Sequence, residues 1–490
     1  MKKYLIIIII LFIFWINNSL NAQLLDKNSF QLIIQNLNTK IYEYNPIKTR
    51  QVNQINSLAL IKSDSGYELM AFQLDENKIK NTSKLKINRE AHYYDAGYLN
   101  NDNLIDIAII DKSALKVYYQ KKDLTFSNIP DNQFPLTIID QNDYQRPQKN
   151  NFIYNLDGLA EDELAIYDNA RIKIFQIKKN NLEQVNTILL KKKLEVKKEI
   201  IPFEAVTSYK VMHYLPKYFW QDLNNDNKLE LIVHFYNIRG FNNKENGLYV
   251  FRQISLSLFK PVYFGQYHSI AAIHDLDNNS ISDIITSYGY KREEIARDNR
   301  TISFKILYLK QDLQLDKESE IKYTGYKSEI FIIDDFNNDK KMDLVIRNYL
   351  TNSTVLLELY TKKSTNFPVY LHEQKFTNKQ KNHFSSNHEA SFKLLETINT
   401  IDQYTFDDLD QNKQLDFLQY KYWMNTKELE IFSYKRKNKF RFNKDKILKL
   451  DAKAVSSSMQ CGLLSAGNKK YYWFFFYRDK NLYFLENKNY

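Results

Sequence analysis

Six nonapeptides along the 490-residue chain place oxygen donors at alternate positions. The four fullest are DLNNDNKLE from Asp222, DLDNNSISD from Asp275, DFNNDKKMD from Asp335 and DLDQNKQLD from Asp408. Each carries three carboxylates and one amide at positions 1, 3, 5 and 9. Donors at alternate positions of a tight loop can converge on one point, and the carbonyl of position 7 can join them. Calcium takes roughly 6–8 oxygens and accepts carboxylates, amides and carbonyls together. No His or Cys stands in the pattern, which disfavours zinc and copper.

The expected ligands of the first loop are Asp222, Asn224, Asp226, the Lys228 carbonyl and Glu230. In the second they are Asp275, Asp277, Asn279, the Ile281 carbonyl and Asp283. In the third they are Asp335, Asn337, Asp339, the Lys341 carbonyl and Asp343. In the fourth they are Asp408, Asp410, Asn412, the Gln414 carbonyl and Asp416. YLNNDNLID from Tyr98 and NLDGLAEDE from Asn155 are poorer copies, with Tyr98 at position 1 of one and Leu159 at position 5 of the other. The alternative is a metal-free turn, since Asn and Asp favour turns without any ion. Four copies with one donor spacing favour the metal.

These loops resemble the FG-GAP/VCBS repeats, the integrin-α-type propeller family whose loop reads D-x-[DN]-x-[DN]-G-x-x-D. The resemblance covers roughly residues 90–440 and implies a β-propeller with calcium loops. The Gly after position 5 is absent; Asn103, Ala160, Asn227, Ser280, Lys340 and Lys413 stand there. Asn enters the left-handed region readily and Lys does so at a cost, so Lys340 and Lys413 are weak points. Gly is scarce throughout, 10 residues in all, and Asn is expected to make the turns in its place.

Short runs rich in Val, Ile, Leu, Tyr and Phe surround each loop, as strands require. A first strand enters the loop, as in 269–275 and 328–335, and a second leaves it, as in 230–236 and 343–349. A third is expected at 248–255 and 354–360, and a fourth at 260–266 and 367–373. The fold class is therefore all-β, a β-propeller of about seven four-stranded blades, with eight as the alternative. Residues 31–92 and 451–490 hold strand runs without a loop, and the two ends are expected to share a closing blade. Residues 23–490 read as one propeller domain.

Lys2 and Lys3 followed by the apolar run Leu5 to Ile16 and by Leu20-Asn21-Ala22 read as a signal peptide, residues 1–22, with cleavage near Ala22. The protein is thus expected to be exported: secreted, cell-surface or periplasmic. No later segment reads as transmembrane. Cys461 is the sole cysteine, which excludes an intramolecular disulfide, and its apolar setting points to a buried, inert thiol. The formal charge of +11 comes mostly from dispersed Lys and carries no nucleic-acid reader motif, so no nucleic-acid partner is expected.

Long insertions at 202–219, 237–248, 288–301 and 374–399 lie at the end of the blades opposite the acidic loops. They hold Lys210, His213, Tyr214, Arg239, Phe241, Tyr290, Arg292 and Lys375, among other cationic and aromatic residues. Such loops on a rigid scaffold are a place for binding, and the plain alternative is a solvated surface. Catalytic motifs such as H-E-x-x-H, a nucleophile elbow or a phosphate-cradling loop are missing. The sequence reads as an exported calcium-binding propeller that binds a protein or a glycan, with calcium mainly structural. The alternative is a lyase-like polysaccharide-active enzyme on the same scaffold.

Overall fold

The computed structural model describes residues 22–24, 30–37, 39–47, 55–64, 66–75, 78–88, 90–136, 146–168, 171–178, 181–190, 217–235, 247–265, 269–288, 301–324, 327–334, 342–349, 364–372, 374–377, 380–384, 390–397, 400–407, 409–412, 416–423, 426–438, 441–451, 459–466, 469–476 and 481–488. Most of them are strand. Apart from one short parallel pairing, neighbouring strands run antiparallel, and the core of each sheet is a meander in chain order. The fold is an all-β propeller. The described residues build eight sheets of four or five strands and one separate hairpin.

Sheet 1 runs from Lys40–Ile47 to Lys78–Lys86 and sheet 2 from Ala91–Gly97 to Asn132–Pro135. Sheet 3 runs from Ile153–Tyr154 to Asn181–Leu189, and sheet 4 from Lys217–Gln221 to Leu258–Gly265. Sheet 5 runs from Ser269–His274 to Leu315–Thr324, sheet 6 from Lys327–Asp334 to Ala390–Thr397, and sheet 7 from Thr400–Asp407 to Arg441–Asp451. Sheet 8 joins the chain ends. Met459–Ala466, Lys469–Phe476 and Asn481–Asn487 are completed by Phe30–Asn36, which pairs Leu32 with Leu485 and Ile34 with Tyr483. The expected sharing of a closing blade therefore holds, and it removes an open edge that would otherwise invite pairing with another chain.

Alternating side chains leave each sheet from both faces, and both faces are apolar. Ile107 and Ile109 pack towards sheet 1, while Ala108 and Ile110 pack towards sheet 3. The same arrangement continues from sheet 3 through sheet 6. Tyr420 and Tyr422 of sheet 7 meet Phe474 and Phe476 of sheet 8. Trp473 and Phe484 on the other face of sheet 8 meet Tyr44 and Phe72 of sheet 1. Each such large side chain contributes about 1.5–3 kcal/mol relative to an exposed one. This burial accounts for the high Tyr and Phe content, and disulfides are not needed for it. First strands of neighbouring sheets touch, Ser269–His274 against Lys327–Asp334 and Thr400–Asp407 against Met459–Ala466, so they form the inner side.

Two details differ from the sequence expectation. Residues 367–373 were expected as a fourth strand. Ser364–His372 is instead the third strand of sheet 6, paired with both Asp343–Tyr349 and Ala390–Thr397. A hairpin, Gln374–Thr377 with Gln380–Phe384, is inserted before the fourth strand. Its strand-like composition is indistinguishable from that of a blade strand. The run 354–360 lies outside the described residues. In addition, Gln148–Lys149 pairs in parallel with Tyr93 and Tyr94 of sheet 2 before the chain becomes the first strand of sheet 3. Asp95 fixes this crossing. It accepts the N–H groups of Phe152 and Ile153, both at 2.7 Å, and pairs with Lys149.

Residues 1–21 of the expected signal peptide lie outside the described residues. Ala22–Leu24 adds a fifth strand to sheet 7, with Ala22 opposite Leu450. Among the described residues no helix is long and apolar enough to cross a membrane.

Candidate metal loops

Each acidic nonapeptide connects the first and second strands of a sheet, so the loops share one end of the propeller. The two best described, 222–230 and 275–283, fold alike for reasons visible in their residues. Position 1 closes the loop: Asp222 accepts the N–H groups of Asp226 (3.2 Å) and Asn227 (2.8 Å). Asp275 accepts those of Asn279 (3.2 Å) and Ser280 (2.9 Å). Position 5 then holds the N–H of position 7, Asp226 to Lys228 at 3.0 Å and Asn279 to Ile281 at 2.7 Å. Positions 4 and 6 turn left-handed, at φ 58° and 63° for Asn225 and Asn227, and 57° and 67° for Asn278 and Ser280. Asn227 and Ser280 thus do the work of the missing Gly at position 6.

Position 9 has the most constant role. Asp106, Glu163, Glu230, Asp283, Asp343 and Asp416 all have no exposed surface. In five loops this carboxylate accepts the N–H of position 2, a buried Leu: Leu99 (3.0 Å), Leu156 (2.8 Å), Leu223 (2.9 Å), Leu276 (3.0 Å) and Leu409 (3.0 Å). Its second oxygen reaches the end of the third strand or just beyond it, Asp106 to the Gln120 N–H (3.2 Å) and Asp283 to the Leu309 N–H (3.0 Å). The acid therefore ties the loop to the body of its own sheet, a function that donor spacing alone did not disclose.

In loop 275–283 the carboxylates of Asp275, Asp277 and Asp283 each present an oxygen within 4.8 Å of the others. Burial pushes Asp283 up to about 7, and the charges of Asp277 and Asp275 add to the rise, while the Leu309 and Leu276 N–H groups oppose it. Asp277 is raised by burial too. Two acids crowded against a buried third, with oxygens only, is the donor chemistry a hard divalent cation would relieve. The residues fit calcium. In loop 222–230 burial pushes Glu230 up to about 7, with Asp226 and Asp222 contributing. Asn224 is 3% exposed, and its side-chain oxygen is buried without a hydrogen-bond donor, as a ligand oxygen at position 3 would be.

Of the other two full copies, Asp335, Asn337, Asp339 and Lys341 lie outside the described residues, as do Asp408 and Gln414. Asp343 and Asp416 are buried as the ninth residue demands. Asp410 and Asn412 are exposed, and Gln411 between them turns left-handed at φ 61°. The weak points Lys340 and Lys413 also fall outside the described residues.

The poorer copies keep the ninth-position tie and differ elsewhere. Tyr98 receives a hydrogen bond from Asn56 at 2.9 Å. In loop 155–163 Asn155 accepts the Gly158 N–H at 2.7 Å, and Gly158 takes the left-handed turn. Burial pushes Asp106 and Glu163 up to about 8.

Two features escaped the sequence reading. The first is a chain of loop-to-loop hydrogen bonds. Position 8 of one loop donates its N–H to the start of the preceding loop: Asp162 to the Tyr98 carbonyl (2.8 Å), Leu229 to Leu156 (3.1 Å) and Ser282 to Leu223 (2.6 Å). Sheet 8 has no acidic loop, and there Asn487 donates to the Leu409 carbonyl at 2.9 Å instead. The second is a repeated turn between third and fourth strands, Lys121-Lys122-Asp123-Leu124 and Lys310-Gln311-Asp312-Leu313. In both, the Leu is left-handed and donates to the Lys carbonyl at 2.7 Å. The shared Lys-x-Asp-Leu spelling was the available signal.

His274 ends its strand beside loop 275–283, its Nδ1 3.2 Å from the Asp275 carbonyl. Burial pushes the Cys461 thiol up to about 12, and its Sγ donates to Gln403 Oε1 at 3.0 Å, so it is held as an inert thiol. Lys210, His213, Tyr214, Arg239, Phe241, Lys244, Tyr290, Arg292, Arg297, Arg300 and His388 of the long insertions lie outside the described residues. Lys217 and Tyr218 belong to the first strand of sheet 4, and Lys375 pairs with His383 in the inserted hairpin.

No family model matches the chain, and no curated protein matches its sequence. Among solved structures, the chain is similar to the Dos1 propeller at 10% identity and a TM-score of 0.46, over 92% of this chain and 94% of that one. It is also similar to an Agrocybe aegerita lectin that recognises non-reducing terminal N-acetylglucosamine, at 9% identity and a TM-score of 0.35, over 85% and 93%. A third is the V. cholerae biofilm matrix protein Bap1, at 10% identity and a TM-score of 0.26, over 96% and 71%. At these scores the likenesses assign no activity, ligand or partner to this chain.

Proposed function

We propose that this protein is an exported β-propeller of the FG-GAP/VCBS type that binds calcium at its acidic loops and serves as a binding module for a protein or a glycan. The observation that carries the reading is the meeting of Asp275, Asp277 and Asp283 within 4.8 Å. Calcium there would be held by these carboxylates, by Asn279 and by the Ile281 carbonyl. It would neutralise charge that burial otherwise penalises, and it would hold the hairpin between the first two strands. The role is structural, because binding to the folded form alone stabilises that form by mass action. Export is supported by the charged and apolar start of the chain, and calcium is available outside the cell at the concentrations that modest sites need.

The test has two arms. Calcium added to chelated protein is expected to raise the melting temperature; an unchanged melting temperature contradicts the metal reading. Retention on immobilised acidic and neutral glycans, or on cell-surface extracts, is expected without any product being formed. Turnover of a polysaccharide would overturn the binding-module reading in favour of an enzyme.

A further inference from the structure

We propose that the calcium sites of loops 222–230 and 275–283 are coupled, so that an ion in one raises the affinity of the other. The inference rests on the calcium reading above and adds a link between two sites. Two contacts carry it, one through Asp283 and one from its neighbour Ser282. On one side, Asp283 Oδ1 accepts the Leu309 N–H at 3.0 Å, and the Asn279 side chain donates to the Leu309 carbonyl at 3.4 Å. These bonds set the turn that follows, from which Gln311 Nε2 donates to the Asn224 carbonyl at 3.1 Å. On the other side, the N–H of Ser282, the residue before Asp283, donates to the Leu223 carbonyl at 2.6 Å.

Loop 275–283 and its turn therefore grip two successive carbonyls of loop 222–230. The second belongs to Asn224, the expected position-3 ligand. Fixing a residue's backbone costs entropy of about 1–2 kcal/mol. An ion that orders Asp275, Asp277 and Asp283 orders residues 223 and 224 in advance, and the second ion meets part of that cost already met. Linkage makes the effect reciprocal. On the scale of one net hydrogen bond it amounts to about fivefold in affinity. The Leu229 to Leu156 bond continues the chain into loop 155–163, where Leu159 occupies a donor position, so the coupling ends there.

Hydrogen–deuterium exchange of the full chain across a calcium titration tests this. In the native protein calcium is expected to slow exchange in both 222–230 and 275–283. In Asp277→Asn the calcium needed to half-protect 222–230 is expected to rise about fivefold. In Gln311→Ala, a surface change that leaves every expected ligand in place, it is expected to rise about two- to fivefold. An unchanged midpoint at 222–230 in Gln311→Ala, with both loops still protected, overturns the coupling and leaves the calcium reading standing. If no loop is slowed by calcium in the native protein, both fail. Should Asp277→Asn not fold, Gln311→Ala decides alone.

Discussion

Loop 275–283 and loop 98–106 are built on the same frame and differ in what the frame is used for. In both, a wholly buried aspartate at position 9 accepts the N–H of a buried leucine and an N–H from the end of the third strand or just beyond it. In loop 275–283 two more carboxylates face that anion, from Asp275 and Asp277. In loop 98–106 position 1 is Tyr98 and position 3 is Asn100, whose side-chain oxygen is taken by the Asp102 N–H at 3.3 Å. The ninth acid is thus architecture in the five loops whose bond to position 2 is described, and on the calcium reading proposed above positions 1, 3 and 5 decide whether the architecture also makes a metal site. A motif read as one chemical unit separates into two.

The largest expected effect tests the shared half. Asp106→Ala leaves the N–H groups of Leu99, Asn100 and Gln120 without their acceptor. A loss of about 3–5 kcal/mol is expected by urea denaturation, with or without calcium. Asp283→Ala is expected to cost a similar amount in chelator and more in calcium. If Asp106→Ala is tolerated, the architectural role of position 9 is wrong.

The next effect concerns the packing of sheet 2 on sheet 3. A Cβ on Gly97 would lie 2.4 Å from Ile153 Cγ2 and 2.8 Å from Asp162 Oδ2. Gly97→Val is expected to cost about 2–3 kcal/mol, read from the same denaturation curves. A neutral outcome would mean that the loop chain through Asp162 can shift freely.

The metal half separates more gently. Asp277→Asn is expected to leave stability in chelator within about 0.5 kcal/mol. It is expected to lose the gain from calcium at 275–283, about 1.4 kcal/mol at tenfold excess over the dissociation constant. The readout is the calcium-dependent part of the melting temperature. An equal gain in mutant and native protein would place the stabilising ion elsewhere.

A slope with pH is expected as well. Asp106 and Glu163 are raised to about 8 in the folded chain from an ordinary carboxylate value near 4 when unfolded, chiefly by burial. The folded form then binds more protons between these values, so stability is full below about pH 4 and declines as pH rises towards 8. Denaturation midpoints in chelator are expected to fall from pH 5 to pH 8. A rise over that range contradicts the assignment of neutral carboxyls in these two loops.

Much of this was legible in the chain itself. Alternate donors in 222–230 and 275–283 located the loops and the strands on either side, and the loop-free apolar runs at the two ends located the closing sheet. What was illegible depends on distant partners. The ninth acid finds its second donor some 14 to 26 residues away, as Gln120 and Leu309 show. The loop-to-loop bonds join backbone groups that carry no side-chain signature. The hairpin at 374–384 has strand composition, so it displaced the assignment of the third and fourth strands of sheet 6. Gly scarcity was answered locally, by Asn225, Asn227, Asn278 and Ser280 in the left-handed region.

The most direct measurement is anomalous diffraction from crystals grown in calcium, or in a lanthanide that substitutes for it. Ion peaks are expected inside loops 275–283 and 222–230, and none in 98–106 or 155–163. A vacant 275–283 loop, or peaks of equal strength in all four, would contradict the account in which the ninth acid is common architecture and positions 1, 3 and 5 decide where an ion is held.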